Sequence, residues 1–310
     1  MKDKKIKVSV VIVTYNRPKH LPLAIQSVLD QTYQDFEIVV VDNGVEIPAK
    51  GIVESFNDER IRYVANDRNT GCSGGKNVGI KNSFGEYVAF LDDDDIWLPE
   101  KLELQMDALE KAPSDVGFCF TAITEVRDKE EINSTVPEGV GDYFEFALRK
   151  FNGFLSSTLV IKKSIFDDVG LLSEEFPSHT DIDLIIRITK KYKAIGINKP
   201  LIKMDLTSGH SQMGNNFCQS GAKYARRIKG RHMLLEKYKE DFEKRPLILS
   251  KHLILLGKFY RNDKRYKEAG KIFLKTFKVY PFRFLALFHY LSTLFNGLGY
   301  KIFKKIKNLF

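Results

Sequence analysis

Two runs of β-branched residues near the start of the chain constrain its fold most strongly. Val8–Val13 is interrupted only by Ser9, and Glu37–Val41 reads EIVVV. Nearly continuous apolar runs of this kind are typical of strands that are buried on both faces of a parallel sheet. The residues between them, 18–31, carry apolar side chains at helical spacing. The pattern therefore predicts a strand–helix–strand unit with a right-handed crossover.

The same alternation continues along the chain. It predicts strands at 61–64, 87–91 and 116–123 and helices at 51–56, 74–83 and 98–111. After residue 142 the order loosens, with helices predicted at 144–151, 163–169 and 181–192, strands at 157–161, 194–197 and 201–206, and a polar loop at 207–216. Alternating strands and helices predict an α/β fold, a mostly parallel open sheet with helices on both faces.

Charge divides the chain into two parts. The whole chain carries 49 Lys and Arg against 40 Asp and Glu, a net charge of +9, and its 43% apolar content excludes a disordered chain. Residues 221–310 have 23 basic and 6 acidic residues, a net charge of +17, whereas residues 1–220 have a net charge of −8. We therefore expect a catalytic domain at 1–220, followed by a basic α-helical extension at 221–310 that meets a polyanion or a membrane surface.

The cysteines and the first residues bear on the compartment. The three cysteines are widely spaced and form no CxxC pair, so neither a zinc ribbon nor a disulfide framework is indicated. The apolar run that follows the basic start is too short for a signal-peptide core. We expect a protein of the reducing cytoplasm.

The most informative polar feature is the acidic run Asp92–Asp95, which directly follows the apolar strand at 87–91. Ligands bind at the carboxyl ends of strands in open α/β sheets. Adjacent carboxylates repel one another, and Mg²⁺ or Mn²⁺ would offset that repulsion. The alternative is a solvated acidic turn that caps the next helix, but the position after a buried strand favours a metal site.

Three further segments are candidates for a site. Asp42 ends the second strand, where it could bind a base or ribose or simply form a turn. The Gly-rich segment 69–79 could meet a phosphate at the start of a helix, but it matches neither phosphate-loop motif. Asp181 enters a helix, either as its N-cap or as a general base whose pKa the helix dipole would lower.

Taken in order, these segments resemble the family 2 glycosyltransferases with the GT-A fold. The resemblance covers about residues 7–210. It is carried by VVIVTYNR at 10–17, VVVDNG at 39–44, NTG at 69–71, KNVG at 76–79, FLDDDD at 90–95, and TD at 180–181 followed by Leu184 and Arg187.

The resemblance implies inverting transfer of a sugar, usually from a UDP-sugar, with Mn²⁺ or Mg²⁺ as cofactor. Asp181 would be the catalytic base. Asp94 would bind the metal, and Asp92 would contact the ribose or metal-bound water. His210 would lie near the diphosphate and serve the metal, or would be an exposed histidine of a loop. The nucleotide-sugar donor would be bound by Thr14, Tyr15, Asn16, Arg17, Asp42, Asn69, Gly71, Lys76, Asn77, Asp92 and Asp93.

Three positions depart from the family pattern, of which Val13, in place of the usual Pro, is the minor one. Asn43 stands where the family has a second Asp, which questions a strict preference for uracil. Thr180 replaces the Glu that usually precedes the base, although Asp181 itself is present.

The tail combines aromatic and basic residues. Residues 282–299 are apolar but interrupted by Arg283 and His289, and residues 300–310 read as a basic amphipathic helix. A spanning helix needs about 20 apolar residues, so we expect peripheral contact of residues 264–310 with an anionic membrane at its cytoplasmic face. The alternative is a helical subdomain whose aromatic residues pack inside and whose lysines are solvated.

Three functional classes remain open from the residues. We expect an enzyme that transfers a sugar to a lipid-linked or growing glycan, as in the synthesis of cell-surface polysaccharide or glycoconjugates. A metal-dependent nucleotidyltransferase would also need carboxylates on an α/β sheet. A nucleic-acid-binding protein could use the basic tail, but the chain has no helix-turn-helix, zinc or aromatic RNA-binding motif, so no nucleic acid is expected as a partner.

Overall fold

The computed structural model describes residues 6–44, 48–127, 130–149, 154–205, 220–282 and 284–293. The chain divides into two compact units. The first consists of Met1–Glu174 with Thr180–Met213, and the second of Glu175–His179 with Gly214–Phe310.

The first unit contains a sheet of ten strands within the described residues. They are β1 (Val8–Thr14), β2 (Phe36–Asp42), β3 (Ile61–Ala65), β4 (Tyr87–Asp92), β5 (Asp95–Trp97), β6 (Val116–Arg127), β7 (Glu130–Asn133), β8 (Gly139–Gly141), β9 (Val160–Lys162) and β10 (Lys193–Asp205). The main path runs β3-β2-β1-β4-β9-β6-β10-β5, while β7 pairs with β6 and β8 with β10.

The first four strands form a parallel half-sheet in the order β3-β2-β1-β4. All seven residues of β1 and all seven of β2 are buried. The register pairs Thr14 with Asp42 and Val13 with Asp92. The carboxyl ends of β1, β2 and β4 therefore meet at one edge, as the sequence predicts.

The other half of the sheet is mixed rather than parallel. β6 and β10 are parallel, but β9 lies between β4 and β6 and runs antiparallel to both. β5, β7 and β8 are short and also antiparallel to their partners. The α/β fold with an open sheet is confirmed, and its parallel character is confined to β1–β4 and to the β6–β10 pair.

Seven helices of the first unit connect these strands within the described residues. They are α1 (Leu21–Leu29), α2 (Lys50–Ser55), α3 (Gly71–Lys81), α4 (Lys101–Glu110), α5 (Phe144–Arg149), α6 (Ile165–Val169) and α7 (Thr180–Thr189). Through residue 123, each element that the sequence predicts is present, with ends displaced by a few residues.

Several later expectations need correction. The strand predicted at 157–161 is a 3₁₀ turn, Ser156–Thr158, followed by β9. The two strands predicted at 194–197 and 201–206 are the single strand β10, whose register against β6 shifts near Pro200. The polar loop predicted at 207–216 lies outside the described residues.

The second unit is helical in its described part. Its helices are α8 (Ser220–Lys237), α9 (Lys239–Glu243), α10 (Pro246–Asn262), α11 (Tyr266–Val279) and α12 (Phe284–Leu291). A small core is formed by Ile228, Leu256, Tyr260, Ala269 and Phe273. The apolar face of α11 is therefore packed inside this unit. Among the described residues, none of the helices combines the length and the apolar character that crossing a membrane requires.

Close packing of α3 on β1 depends on Gly79. A Cβ added at this position would overlap the Cγ atoms of Val11, which is buried in the middle of the sheet. Because Val11 is enclosed by its neighbours, it has no space into which it can move. A side chain at position 79 would therefore push the helix away from the strand ends.

We expect Gly79→Ala to lower the free energy of unfolding by about 1–3 kcal/mol, the usual cost of overpacking a core. The matched control is Gly51→Ala in α2, where an added Cβ has no neighbour within 4 Å. Because alanine favours helix, this control should be neutral or stabilise by up to about 1 kcal/mol. Urea unfolding monitored by circular dichroism measures the free energy of unfolding of both variants. Equal stabilities of the two variants would contradict the packing argument.

Candidate active site

The edge where β1, β2 and β4 end carries the polar residues that the sequence singles out. β1 ends at Thr14, β2 at Asp42 and β4 at Asp92. The Gly-rich segment begins α3 at the same edge, and Asp181 lies in the first turn of α7. The topology thus brings together residues that are up to 167 positions apart in the sequence.

The four carboxylates of the acidic run alternate in exposure. The side chains of Asp92 and Asp94 are 30% and 12% exposed, whereas Asp93 and Asp95 are each only 3% exposed. Asp93 accepts a hydrogen bond from Thr14 Oγ1 at 2.8 Å, and Asp95 accepts one from Ser157 Oγ at 2.5 Å. The first and third carboxylates therefore face the accessible side, and the second and fourth support the turn.

Burial raises the pKa of the inner carboxyls. The pKa of Asp93 rises to about 7, with burial as the main cause and Arg17 acting against it. The pKa of Asp95 is raised well above its ordinary value by burial and by the charge of Asp92. Burial and Asp92 also raise the pKa of Asp94. Burial and mutual repulsion disfavour the ionised carboxylates here, and a cation at the accessible side would offset both effects.

A buried lysine joins the acidic run to Asp181. Lys76 is only 2% exposed, and its Nζ lies 3.1 Å from Asp92 Oδ1 and 3.7 Å from Asp181 Oδ1. It also donates a hydrogen bond to Ser156 Oγ at 2.6 Å, while that hydroxyl lies 3.2 Å from Asp92 Oδ1. One ammonium group therefore neutralises a strand-end carboxylate and the predicted base together.

The charges around Lys76 decide its protonation. Burial alone would lower the pKa of Lys76, but Asp181 and Asp92 outweigh that effect and hold it well above its ordinary value. The pKa of Asp181 is raised, chiefly by burial, with Lys76 acting in the opposite direction. The expectation of a pKa lowered by the helix dipole is wrong, because burial has the larger effect.

The two carboxylate oxygens of Asp42 differ in their hydrogen bonding. Its Oδ2 accepts hydrogen bonds from the backbone N–H of Ala49 at 2.8 Å and from Tyr63 OH at 2.9 Å. Its Oδ1 is buried and has no hydrogen-bond partner within the described part of the chain. A buried carboxylate oxygen left in this state can receive an N–H or O–H donor from a ligand.

Both polar atoms of the Asn43 side chain form hydrogen bonds to nearby loop residues. Its Nδ2 donates to Gly71 O at 2.8 Å, and its Oδ1 accepts from Asn66 Nδ2 at 2.9 Å and from Thr70 Oγ1 at 3.0 Å. An amide can both donate and accept in this way, whereas a carboxylate can only accept. The departure from the family pattern at this position therefore serves to hold the start of α3 against the end of β2.

The remaining predicted donor-binding residues fall into two groups. Tyr15 lies against Gly44 beyond the end of β2, and Asn16 and Arg17 follow it on the same loop. Asn69 Oδ1 accepts the Gly71 N–H at 2.8 Å within the loop.

Asn77 serves a different segment. Its side chain bonds to both main-chain groups of Leu172, at 2.9 and 3.0 Å, and to Glu174 Oε1 at 2.9 Å. These contacts give it a structural role, and its contact with a donor stays a prediction.

Sequence reasoning missed the 3₁₀ turn. Ser156 bonds to Lys76 and to Asp92, and Ser157 bonds to Asp95 and accepts the Asp92 N–H at 3.1 Å. In the sequence these serines belong to an ordinary strand-like run, so no local signal could have identified them. His210, a predicted metal residue, lies outside the described residues.

The donor set for a metal is small. Within the ranges that the structure describes, no group of three or more His, Cys, Asp and Glu side chains is placed to hold a metal ion. Within the acidic run, Asp92 and Asp94 are the two carboxylates that solvent can reach. Two carboxylates fit Mg²⁺ or Mn²⁺, because these ions commonly complete their shell with water and substrate phosphate.

Residues 9–169 match the family described as glycosyl transferase family 2. The chain belongs to this family. The match covers β1–β4, the acidic run and the 3₁₀ turn, and therefore most of the site described above. Family membership decides for glycosyl transfer against the nucleotidyl transfer and nucleic-acid binding that the residues left open.

Other family 2 enzymes resemble the chain over different lengths. An uncharacterised glycosyltransferase of Rickettsia felis is 32% identical over 66% of the chain and 33% of its own length, so the chain spans about a third of that relative. An uncharacterised glycosyltransferase of Methanocaldococcus jannaschii is 41% identical over 63% of the chain and 69% of its own length. The Escherichia coli UDP-Glc:alpha-D-GlcNAc-diphosphoundecaprenol beta-1,3-glucosyltransferase WfgD is 36% identical over 36% of the chain and 44% of its own length.

Solved structures confirm the fold. The structure of S. aureus TarS residues 1–349 in complex with UDP-GlcNAc is similar with a TM-score of 0.61, at 17% identity, over 93% of this chain and 90% of the TarS chain. At this identity the likeness establishes the GT-A fold of the family.

Loss of the Lys76 charge should destabilise the protein in a pH-dependent way. We expect Lys76→Met to cost about 3 kcal/mol near pH 8, because two partly buried carboxylates lose their cation. In the variant the pKa of Asp181 rises further above its unfolded value, so stability is retained at low pH and lost as pH rises. The cost should therefore shrink toward pH 5.

Urea unfolding at a series of pH values measures this effect. Lys76→Arg, which keeps the charge, should lose less stability than Lys76→Met. Lys81→Met, at the exposed end of the same helix, is the matched control and should show no such pH dependence. A cost for Lys76→Met that does not change with pH would rule out the ion pairs as its cause.

Proposed function

We propose that this chain is an inverting, metal-dependent glycosyltransferase that moves a sugar from a UDP-sugar to a hydroxyl of a lipid-linked or growing glycan. The observation that carries the proposal is the shared ammonium of Lys76, which lies between Asp92 at the donor edge and Asp181 in α7. Lys76 thereby holds Asp92, the proposed donor-binding carboxylate, and Asp181, the proposed base, on either side of its ammonium group.

The nucleotide is assigned to the ends of β1 and β2. The unsatisfied Oδ1 of Asp42 suits an N–H or O–H group of the nucleoside, and the Tyr15 ring beside Gly44 offers an apolar face. WfgD is named for UDP-Glc, and TarS was solved with UDP-GlcNAc. These names support a UDP-sugar as the donor.

The diphosphate is assigned to the accessible carboxylates. Asp94 and Asp92 would hold Mn²⁺ or Mg²⁺, which would offset the charge on the leaving diphosphate. Their oxygen-only donor set and their alternation with the buried Asp93 and Asp95 support this role. A contribution of His210 to the metal stays part of the proposal.

Asp181 is assigned as the general base. In an inverting transfer, the acceptor oxygen attacks the anomeric carbon from the side opposite the diphosphate. The hydroxyl proton passes to the Asp181 carboxylate, a new C–O bond forms, and the bond to the diphosphate oxygen breaks with its electron pair. Lys76 keeps the base ionised and in place between turnovers.

The acceptor follows from the relatives rather than from a described pocket. The name of WfgD gives a diphosphoundecaprenol-linked sugar as its acceptor. We extend this class, a lipid-linked or growing glycan, to the present chain. Such acceptors are found at membranes, which agrees with the tail.

Turnover can be tested by measuring UDP release from a panel of UDP-sugars with Mn²⁺ and a lipid-linked acceptor. Asp181→Asn should lower the rate about 10²–10⁴-fold, because proton transfer is lost, and should leave UDP affinity unchanged. Asp94→Ala should lower it at least about 10²-fold and weaken Mn²⁺ binding, because a metal contributes several kcal/mol. Asp107→Asn, an exposed carboxylate in α4, is the control. Full turnover by either site variant would contradict the role assigned to that residue.

The second part of the proposal is peripheral attachment to the cytoplasmic face of an anionic membrane through residues 264–310. Leu285, Leu287 and Leu291 of α12 are exposed, as is Phe282 just before it. The sequence that follows carries Lys301, Lys304, Lys305 and Lys307. Exposed apolar side chains followed in the sequence by four lysines provide the two signals that stable attachment needs. The buried face of α11, and the burial of Ala286 and His289 in α12, favour the alternative of a packed subdomain for those faces.

Vesicle sedimentation tests this attachment. The full chain should sediment with phosphatidylglycerol vesicles, much less with phosphatidylcholine vesicles, and less at high salt. Leu285→Asp with Leu291→Asp should reduce binding several-fold, whereas Leu247→Asp, an exposed leucine of α10, should not. Equal sedimentation with both kinds of vesicle would contradict an anionic membrane as the partner.

A further inference from the structure

Arg17, just after β1, pairs with the middle of the acidic run. Its Nη1 lies 2.9 Å from Asp93 Oδ1 and 2.9 Å from Asp94 Oδ2. The Arg17 side chain is 18% exposed, and both carboxylates are more buried still. Charge-assisted bonds that are shielded from water in this way are stronger than ordinary surface ion pairs.

This pair involves one of the two carboxylates proposed for the divalent cation. Arg17 holds Asp94 Oδ2, and its positive charge lies next to the accessible side of the run. A cation that approaches Asp94 must therefore displace the guanidinium or bind beside a like charge. In either case the ion pair weakens binding of the metal in the protein without donor.

A second partner for Arg17 would remove this penalty. A guanidinium binds phosphate as well as carboxylate through its planar set of N–H donors. The proposed diphosphate lies at the same strand edge as Arg17. Asp93 keeps the hydrogen bond from Thr14 Oγ1 when Arg17 leaves, so the inner carboxylate is not stripped of all its partners.

We propose that Arg17 is an exchangeable counter-ion that moves from Asp93 and Asp94 to the donor diphosphate, so that nucleotide and divalent cation bind cooperatively. The inference rests on the proposed function. When the diphosphate takes up Arg17, Asp94 is freed for the cation, and each ligand removes part of the cost of binding the other. Coupling is then positive and reciprocal.

The test measures Mn²⁺ binding to the full chain from the EPR signal of free Mn²⁺, with and without saturating UDP. In the wild type, UDP should raise Mn²⁺ affinity by about tenfold or more, within the usual range of coupling between sites. Arg17→Gln should bind Mn²⁺ alone more tightly than the wild type, and UDP should raise that affinity by a clearly smaller factor than in the wild type, because only the direct attraction between diphosphate and cation then remains.

Two further variants separate exchange from a merely structural role. Arg17→Lys keeps a charge and should retain most of the coupling. Arg60→Ala removes a guanidinium that binds Asp58 before β3, away from the site, and should behave as the wild type. Thermal unfolding of each variant shows that it is folded before the titration.

Two results would overturn the inference. If Arg17→Gln binds Mn²⁺ alone no more tightly than the wild type, the guanidinium does not compete with the cation. If the coupling is unchanged in that variant, Arg17 does not carry it. Failure of the proposed function looks different, because the wild type would then bind neither Mn²⁺ nor UDP, and this inference would fall with it.

Discussion

The ammonium group of Lys76 is the interaction on which the rest of the site depends. A lysine that is almost completely buried keeps its charge only when that charge is compensated, and here Asp92 and Asp181 compensate it together. The requirement ties α3 to the end of β4 and to the first turn of α7. A residue of the Gly-rich segment thus helps to fix the position of Asp181, the proposed base, although more than a hundred positions separate the two.

The acidic run shows how a backbone divides chemically identical side chains. Four consecutive aspartates have the same charge in the sequence, but the turn between β4 and β5 directs them alternately outward and inward. Asp93 and Asp95 accept hydrogen bonds from hydroxyl groups, and burial raises the pKa of both. Asp92 and Asp94 remain accessible to ligands. The backbone thereby separates two buried carboxyls from the two that solvent can reach.

Much of this arrangement is predictable from sequence, because continuous apolar runs such as Val8–Val13 identify buried parallel strands and their ends identify the site edge. The positions of Asp42 and Asp92 follow directly. The serines of the 3₁₀ turn do not, since a hydroxyl becomes important only through neighbours distant in sequence. The division of the sheet into parallel and mixed halves was equally hidden, because strands as short as β5 and β9 leave no periodic pattern.

Asn43 has a consequence for how this site can evolve. Its amide donates to Gly71 O and accepts from Asn66 and Thr70, so every polar atom of the side chain is committed to the loop. A change to aspartate would replace the donor by a second acceptor facing a carbonyl oxygen. The Gly71 partner is a main-chain carbonyl, which a substitution at position 71 would not remove. A single substitution toward the family's usual aspartate would therefore weaken the contact between the start of α3 and the end of β2.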